Sequence, residues 1–185
     1  TEDSNSIFAV KGKGGVGKTF LLDRIRFVLN DQKTCNLLIT EIIDFDDSRL
    51  QTDDMVNVEA KIIEKFDKSL FQSYILLLDA YREMEASNVS SDYLREKKEQ
   101  VHKEFIKSFN LYSKGKRIVF FFDTLERLSN LPGVLDGIDN FINSSQNCML
   151  VMAGRNIDAI YNRLVKNFNI KKTSCLINLA GLSIR

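Results

Sequence analysis

The sequence is poor in the residues that form disulfide frameworks and zinc sites, with three cysteines and one histidine in 185 residues. Cys35, Cys148 and Cys175 are scattered and odd in number, and none has the spacing of zinc ligands. The histidine, His102, lies in a stretch dense in charges. We therefore expect reduced thiols, two of them in the cores of predicted strands, and no zinc site.

An excess of one charge and long apolar runs are also missing. Lysine and arginine number 26 against 25 acidic residues, so no global basic field points to a nucleic acid or a membrane. No run approaches a membrane span, and no secretory signal pattern begins the chain, so we expect a cytoplasmic protein. A hydrophobic content of 44% predicts one domain over residues 1–185. Because the first residue is Thr1, we expect a piece of a longer multidomain protein.

A glycine-rich segment, GKGGVGKT from Gly12 to Thr19, matches G-x-x-x-x-G-K-[ST] at every fixed position. The apolar run 7–10 before it predicts a buried strand, and apolar residues at helical spacing predict a helix from about Lys18. Strand, loop and helix are the context in which this motif, the P-loop, wraps phosphates with backbone N–H groups. The alternative is a glycine-rich turn that matches by chance.

The motif predicts binding of ATP, or another nucleoside triphosphate, together with Mg²⁺. Lys18 is expected to reach the β- and γ-phosphates, and the Thr19 hydroxyl is expected to be a Mg²⁺ ligand. The predicted nucleotide contacts are the loop and the residue after it, namely Gly12, Lys13, Gly14, Gly15, Val16, Gly17, Lys18, Thr19 and Phe20.

A second strand is predicted between Cys35 and Phe45, and acidic residues 44–47 end it. These carboxylates could contact Mg²⁺ through water or form a solvated capping turn, and we favour the turn. A helix is predicted to start within residues 52–54 and to continue to Phe66. Residues 67–112 are predicted to be helical, with a polar break at 87–91.

The segment RIVFFFDTLE, residues 117–126, has five consecutive apolar residues that predict a strand buried on both faces. Asp123 then lies at the edge of a parallel sheet where ligands bind, the place of a Walker B aspartate that holds Mg²⁺. Glu126 is placed to orient and deprotonate the water that attacks the γ-phosphate. The alternative for Glu126 is an exposed position in the first turn of a helix.

A further buried strand is predicted at 148–153, and Arg155 follows its end. Arginine at this position could sense the γ-phosphate or pair with the acidic cluster of residues 44–47. A last strand is predicted at 175–179. Five strands alternating with helices predict an α/β fold, with a mostly parallel sheet covered on both faces.

Taken in order, GKGGVGKT, IVFFFDTLE, MLVMAGR and LINLAGL resemble the nucleotide-binding core of STAND NTPases, signal-transduction ATPases related to the NACHT and AAA+ groups. The segment EIIDFDDSRLQT is also similar to the second-strand region of bacterial members. The resemblance implies strand order 5-1-4-3-2, with the strand before Arg155 between the P-loop strand and the Asp123 strand. It implies a Mg²⁺ contact for Thr19 and Asp123, and catalytic roles for Lys18, Glu126 and the sensor-like Arg155.

The function that the resemblance implies is a nucleotide-dependent signalling switch that hydrolyses ATP slowly and self-associates as the full-length protein when activated. In this family a helical lid and a winged-helix module follow the core. We therefore expect only weak ATPase activity from these 185 residues alone.

Two other interpretations stay open. The loop also fits the deviant-Walker partition and arsenical-pump ATPases, in which Lys13 would reach across a dimer to the phosphates of the other subunit. That family has proline and glycine soon after the Walker B aspartate, where this chain has Leu125 and Glu126. The third interpretation is a non-hydrolysing scaffold that ATP holds in a closed conformation, against which the presence of Lys18, Asp123 and Glu126 argues.

Overall fold

The computed structural model describes residues 5–31, 36–48, 54–87, 89–145, 147–167 and 174–180. The strands are β1 (Ser6–Lys11), β2 (Leu37–Asp44), β3 (Arg117–Asp123), β4 (Cys148–Gly154) and β5 (Ser174–Asn178). The α-helices in this part of the chain are α1 (Lys18–Asp31), α2 (Met55–Ile62), α3 (Gln72–Ala86), α4 (Ser91–Tyr112), α5 (Pro132–Ser144) and α6 (Asp158–Asn167). Short 3₁₀ helices cover Ile63–Lys65, Lys68–Phe71 and Leu125–Asn130.

The five strands form one parallel sheet in the order β2-β3-β4-β1-β5. This confirms the predicted order, including the position of β4 between the P-loop strand and the Asp123 strand. Lys11 lies opposite Gly154, and Asp44 lies opposite Asp123. The carboxyl ends of these strands therefore reach one edge of the sheet, where ligands bind in open α/β sheets.

Helices cover both faces of the sheet, and the side chains of β3 alternate between two apolar clusters. Val119 and Phe121 belong to the smaller cluster, to which α1 contributes the buried Leu22. Phe120 and Phe122 belong to the larger cluster, which takes its helical residues from α2 to α6. Because both faces are buried, β3 reads as a continuous apolar run instead of an alternating one.

The helical segment predicted at 67–112 packs into the larger cluster. Helices α3 and α4 meet through Tyr74 and Phe105, whose ring centroids lie 5.4 Å apart. Phe105 then contacts Phe141 of α5 at 5.2 Å, and Phe109 contacts Phe120 of β3 at 5.6 Å. Tilted aromatic pairs of this kind add stability beyond the area that they bury. The segment is therefore part of the same core as the sheet.

Two details differ from the sequence-based predictions, namely the end of the second helix and the exposure of Cys175. Helix α2 ends at Ile62, so Phe66 lies beyond it, although its side chain is buried. The expected helix start is confirmed by Asp54, whose side chain accepts a hydrogen bond from the N–H of Val56. Cys148 is buried as predicted, but Cys175 is exposed because β5 is an edge strand, and Cys35 lies outside the described residues.

Within the described residues, no helix combines the length and the apolar character needed to cross a membrane.

Candidate functional site

The loop between β1 and α1 has backbone geometry that requires glycine. A Cβ atom on Gly12 would lie 2.6 Å from the carbonyl oxygen of Leu179, closer than real contacts allow. Gly15 and Gly17 have φ angles of 75° and 91°, in the left-handed region that glycine adopts without a Cβ penalty. Among the described residues other than the two chain neighbours, no heavy atom lies within 4 Å of the place where a Cβ would stand on Gly15 or Gly17. The loop therefore presents open backbone to a ligand.

The Lys18 ammonium folds back over this loop. Its Nζ donates hydrogen bonds to the carbonyl oxygens of Gly12 and Lys13, each at 2.9 Å. Helix α1 starts here, and the N–H of Leu21 donates to the carbonyl of Gly17 at 2.9 Å. The first-turn N–H groups of the helix and the lysine thus gather positive charge at the loop.

Thr19 and Asp123 are brought into direct contact at the carboxyl edge of the sheet. Thr19 Oγ1 donates to Asp123 Oδ2 at 2.5 Å, and the N–H of Thr124 donates to Asp123 Oδ1 at 2.8 Å. Asp123 is only 4% exposed. A buried carboxylate needs such partners, and β3 carries this one to the P-loop helix although the two residues are far apart in sequence.

Glu126 lies in the 3₁₀ helix after β3 and contacts Arg155, which follows β4. Glu126 Oε2 accepts a hydrogen bond from the backbone N–H of Arg155 at 2.8 Å. Glu126 Oε1 lies 3.3 Å from Arg155 Nε. The acidic partner of Arg155 is therefore Glu126, which lies outside the acidic cluster of residues 44–47, and the contact with a γ-phosphate stays a prediction.

Gly154 is a site residue that sequence reasoning missed. A Cβ atom there would lie 2.6 Å from Glu126 Oε2 and 2.5 Å from Ile157 Cγ2, so the Glu126 carboxylate reaches the Arg155 N–H only across a bare glycine. A glycine directly after a buried apolar strand was the available signal, since such a glycine often marks a close approach.

A cavity of about 400 Å³ lies beside the loop, between Lys13, Gly14, Arg155 and Asn178. The Arg155 guanidinium carbon would lie 3.3 Å from a Cβ on Gly14, so the arginine reaches the P-loop as well as Glu126. At the same cavity, Lys11 Nζ lies 2.5 Å from Asp158 Oδ1. The hydrogen bond from Lys11 lowers the pKa of Asp158.

The remaining predicted residues lie at the rim of this group. Lys13 is exposed on the loop, and the Phe20 side chain, 75% exposed, lies on the outer side of α1. In the acidic turn after β2, Asp44 Oδ1 accepts from the N–H of Asp46, and Asp46 Oδ1 accepts from Arg127 Nε at 2.7 Å. These contacts form a turn at the end of β2, and the choice between a capping role and a water-mediated Mg²⁺ contact stays a prediction.

No family model matches the sequence, and no curated protein matches it. Among solved structures, the ORC1 protein of Aeropyrum pernix in complex with DNA aligns with a TM-score of 0.56 and 11% identity, over 99% of this chain and 41% of that one. The chain has the fold of the P-loop NTPases.

Two other solved structures align less well with this P-loop NTPase fold. The cytoplasmic domain of the type VII secretion ATPase EccC of Thermomonospora curvata aligns with a TM-score of 0.47 and 16% identity, over 96% of this chain and 19% of that one. Thymidylate kinase of Ehrlichia chaffeensis aligns with a TM-score of 0.32 and 13% identity, over 98% of this chain and 92% of that one. This chain therefore spans less than half the length of the ORC1 and EccC chains.

The residues at the loop fit a Mg²⁺ ion that arrives with a nucleotide. The described residues contain no group of three or more histidine, cysteine or acidic side chains that could hold a metal. Mg²⁺ in phosphate sites takes one or two carboxylates and completes its octahedron with phosphate oxygens and water. The Thr19 hydroxyl and the single Asp123 carboxylate match that need.

Proposed function

We propose that this chain binds Mg²⁺ and ATP, or another nucleoside triphosphate, and hydrolyses it slowly. The observation that carries the proposal is the 2.5 Å contact between Thr19 Oγ1 and Asp123 Oδ2 directly beneath the glycine loop. A hydroxyl and a buried carboxylate at this point form the Mg²⁺-binding pair of P-loop NTPases. A glycine turn that matched the motif by chance would not need an aspartate from β3 at that place.

The phosphates would lie in the loop, where they replace the carbonyl partners of Lys18 Nζ. The loop carbonyls of Gly12 and Lys13 already hold the ammonium at 2.9 Å, so the charge is present before the ligand binds. Preorganised charge lowers the cost of rearrangement when the phosphates arrive. When bound, Mg²⁺ would neutralise charge on the phosphate oxygens.

Glu126 would act as the general base that takes a proton from the attacking water. The Arg155 N–H and Gly154 hold its carboxylate at the end of β4, next to the strand that carries Asp123. Arg155 would serve as the sensor, since its guanidinium reaches both Glu126 and Gly14. Lys18, Glu126 and Arg155 are thus the residues that we assign to catalysis.

The biological role that we propose is that of the nucleotide-binding domain of a longer STAND-like signalling protein in the cytoplasm. ATP binding would set the state of the switch, and the full-length protein would self-associate when activated. Residues 1–185 would form this single domain, with the helices of 67–112 as an insert within its core. The position of β4 between β1 and β3 supports this family over the deviant-Walker ATPases.

A non-hydrolysing scaffold is the second candidate, and one observation favours it. Both oxygens of the Glu126 carboxylate contact Arg155, at 2.8 Å and 3.3 Å, so the general base is engaged in this conformation. A protein that keeps this arrangement with ATP bound would bind nucleotide without turnover.

Calorimetric titration of Mg-ATP and Mg-GTP tests the proposal. Lys18→Ala should weaken triphosphate binding at least tenfold, because it removes a charge that contacts the phosphates in a partly dehydrated site. Lys103→Ala, an exposed lysine on α4, is the matched control and should leave affinity unchanged. Equal affinities of the Lys18 variant and the parent chain would refute the proposed site.

A further inference from the structure

The outer face of α1 carries two exposed aromatic rings. Phe20 is 75% exposed and Phe27 is 61% exposed, whereas Leu22 on the opposite face is fully buried. The two phenylalanines are seven residues apart, which places them on one stripe two helical turns apart. The solvent side of a surface helix normally carries charged and polar residues, so this stripe is unusual for a face left to water.

The stripe borders one open groove. The groove has a volume of about 590 Å³, and both phenylalanines, Asp23, Arg24 and Asp31 are among the residues that line it. The Arg24 guanidinium lies 5.3 Å from the centroid of the Phe27 ring, a cation–π distance. Within the part of the chain that the structure describes, neither Asp23 nor Arg24 forms an ion pair.

The order of Phe20, Asp23, Arg24 and Phe27 along α1 is self-complementary. If two α1 helices lie antiparallel about a two-fold axis between positions 23 and 24, Phe20 of each lies opposite Phe27 of the other. In the same register Asp23 of each lies opposite Arg24 of the other, so two aromatic pairs and two ion pairs form together. A shift of one residue in either direction removes both matches.

We propose that the outer face of α1 pairs antiparallel with the same face of a second copy of this chain. The occupant follows from the charges, because an acid and a base adjacent at the axis complement their own two-fold image. The surface begins one residue after Thr19 but uses the side of the helix that faces away from the sheet. The proposal does not depend on nucleotide binding or hydrolysis.

The area of the stripe sets the strength of the contact. A buried phenylalanine removes about 150–250 Å² from water, so two partly exposed rings contribute roughly 200–350 Å² per subunit. Stable complexes bury about 800 Å² per partner. The pairing is therefore a weak, concentration-dependent association with a dissociation constant between about 10 µM and 1 mM.

Sedimentation equilibrium of the chain without nucleotide, from about 10 µM to 1 mM, tests the pairing. Asp23→Arg and Arg24→Asp should each weaken association about tenfold or more. In either single variant, residues 23 and 24 carry the same charge, so two pairs of like charges face each other across the two-fold axis. The double variant Asp23→Arg/Arg24→Asp restores both ion pairs and should return to within about threefold of the parent chain. Circular dichroism of each variant confirms that it is folded.

Phe27→Ser should also weaken the association, whereas Leu76→Ser should not. Leu76 is the matched control because it is a 71% exposed apolar residue on α3, away from α1. A parent chain that stays monomeric at 1 mM would overturn the proposal. So would a double charge variant that associates no better than the single ones, or equal effects of the two serine variants.

Discussion

The pair formed by Glu59 of α2 and His102 of α4 offers a test of the helical layer on the sheet. Glu59 is completely buried, and its Oε1 contacts His102 Nδ1. Glu59 Oε2 and His102 Nε2 have no hydrogen-bond partner among the described residues. Burial raises the pKa of Glu59, the contact with His102 lowers it again, and Asp54 and Lys98 act more weakly in opposite directions. The histidine is thus the main group that compensates the buried carboxylate.

His102→Ala should destabilise the fold by about 3 kcal/mol at pH 8, since it leaves the completely buried Glu59 carboxyl without its hydrogen-bond partner. For a domain of this size, that corresponds to a fall in melting temperature of roughly 6–12 °C. The loss should be smaller at pH 5, because burial raises the pKa of Glu59 and a lower pH favours its neutral, protonated form. Differential scanning calorimetry at both pH values measures this difference.

The pH dependence of the parent chain has a definite sign. Because the pKa of Glu59 is raised above the value of 4.5 for an unperturbed glutamate, the folded state holds its proton more tightly than the unfolded state. The contribution of Glu59 to stability is therefore complete below pH 4.5 and is lost as the pH rises through the folded-state pKa. Glu59→Gln should abolish this loss, and Glu64→Gln, a change at an exposed residue near α2, should not.

Melting temperatures of His102→Ala within about 1 °C of the parent at pH 8 would refute the reasoning.

Three further predictions concern the candidate site. Glu126→Gln should keep Mg-ATP bound but slow single-turnover hydrolysis on the order of 10²-fold, as expected for a lost general base; an unchanged rate would return Glu126 to a first-turn helix role. Lys13→Ala should change hydrolysis only within a few-fold, and a collapse of turnover with binding intact would favour the deviant-Walker dimer. Gly154→Ala should move Glu126 away from the Arg155 N–H, because the added Cβ would lie 2.6 Å from Glu126 Oε2, and turnover should fall more than ATP affinity; equal losses of both would indicate general misfolding.

Much of the sheet could be predicted from the sequence because its strands are buried on both faces. β3 and β4 read as unbroken apolar runs, and the polar residues that follow them mark the edge where ligands bind. The strand order did not come from these patterns, since each apolar run is equally compatible with any position in the sheet. It came from the resemblance to a family, and the order of the sheet confirms it.

The contacts between elements were beyond prediction for a physical reason. Glu59 and His102 lie on helices whose crossing no local period encodes, and each side chain alone reads as part of a charged surface. The close approach of Glu126 to Gly154 depends on the pairing of β3 with β4. Cys175 was expected in a core because its strand is apolar, but β5 is an edge strand and, within the described residues, has a neighbouring strand on one side only.

The two contacts between Glu126 and Arg155 differ in how firmly they hold. The side-chain pair is open to solvent, with Arg155 63% and Glu126 26% exposed, and ion pairs of this kind contribute only about 0–1 kcal/mol. The hydrogen bond from the Arg155 backbone N–H is fixed by the end of β4 and by the absence of a side chain on Gly154. The arginine side chain can therefore turn from Glu126 toward a phosphate at small energetic cost, while the carboxylate stays in place. In the function proposed above, one residue would thus position the general base through its backbone and sense the nucleotide through its guanidinium.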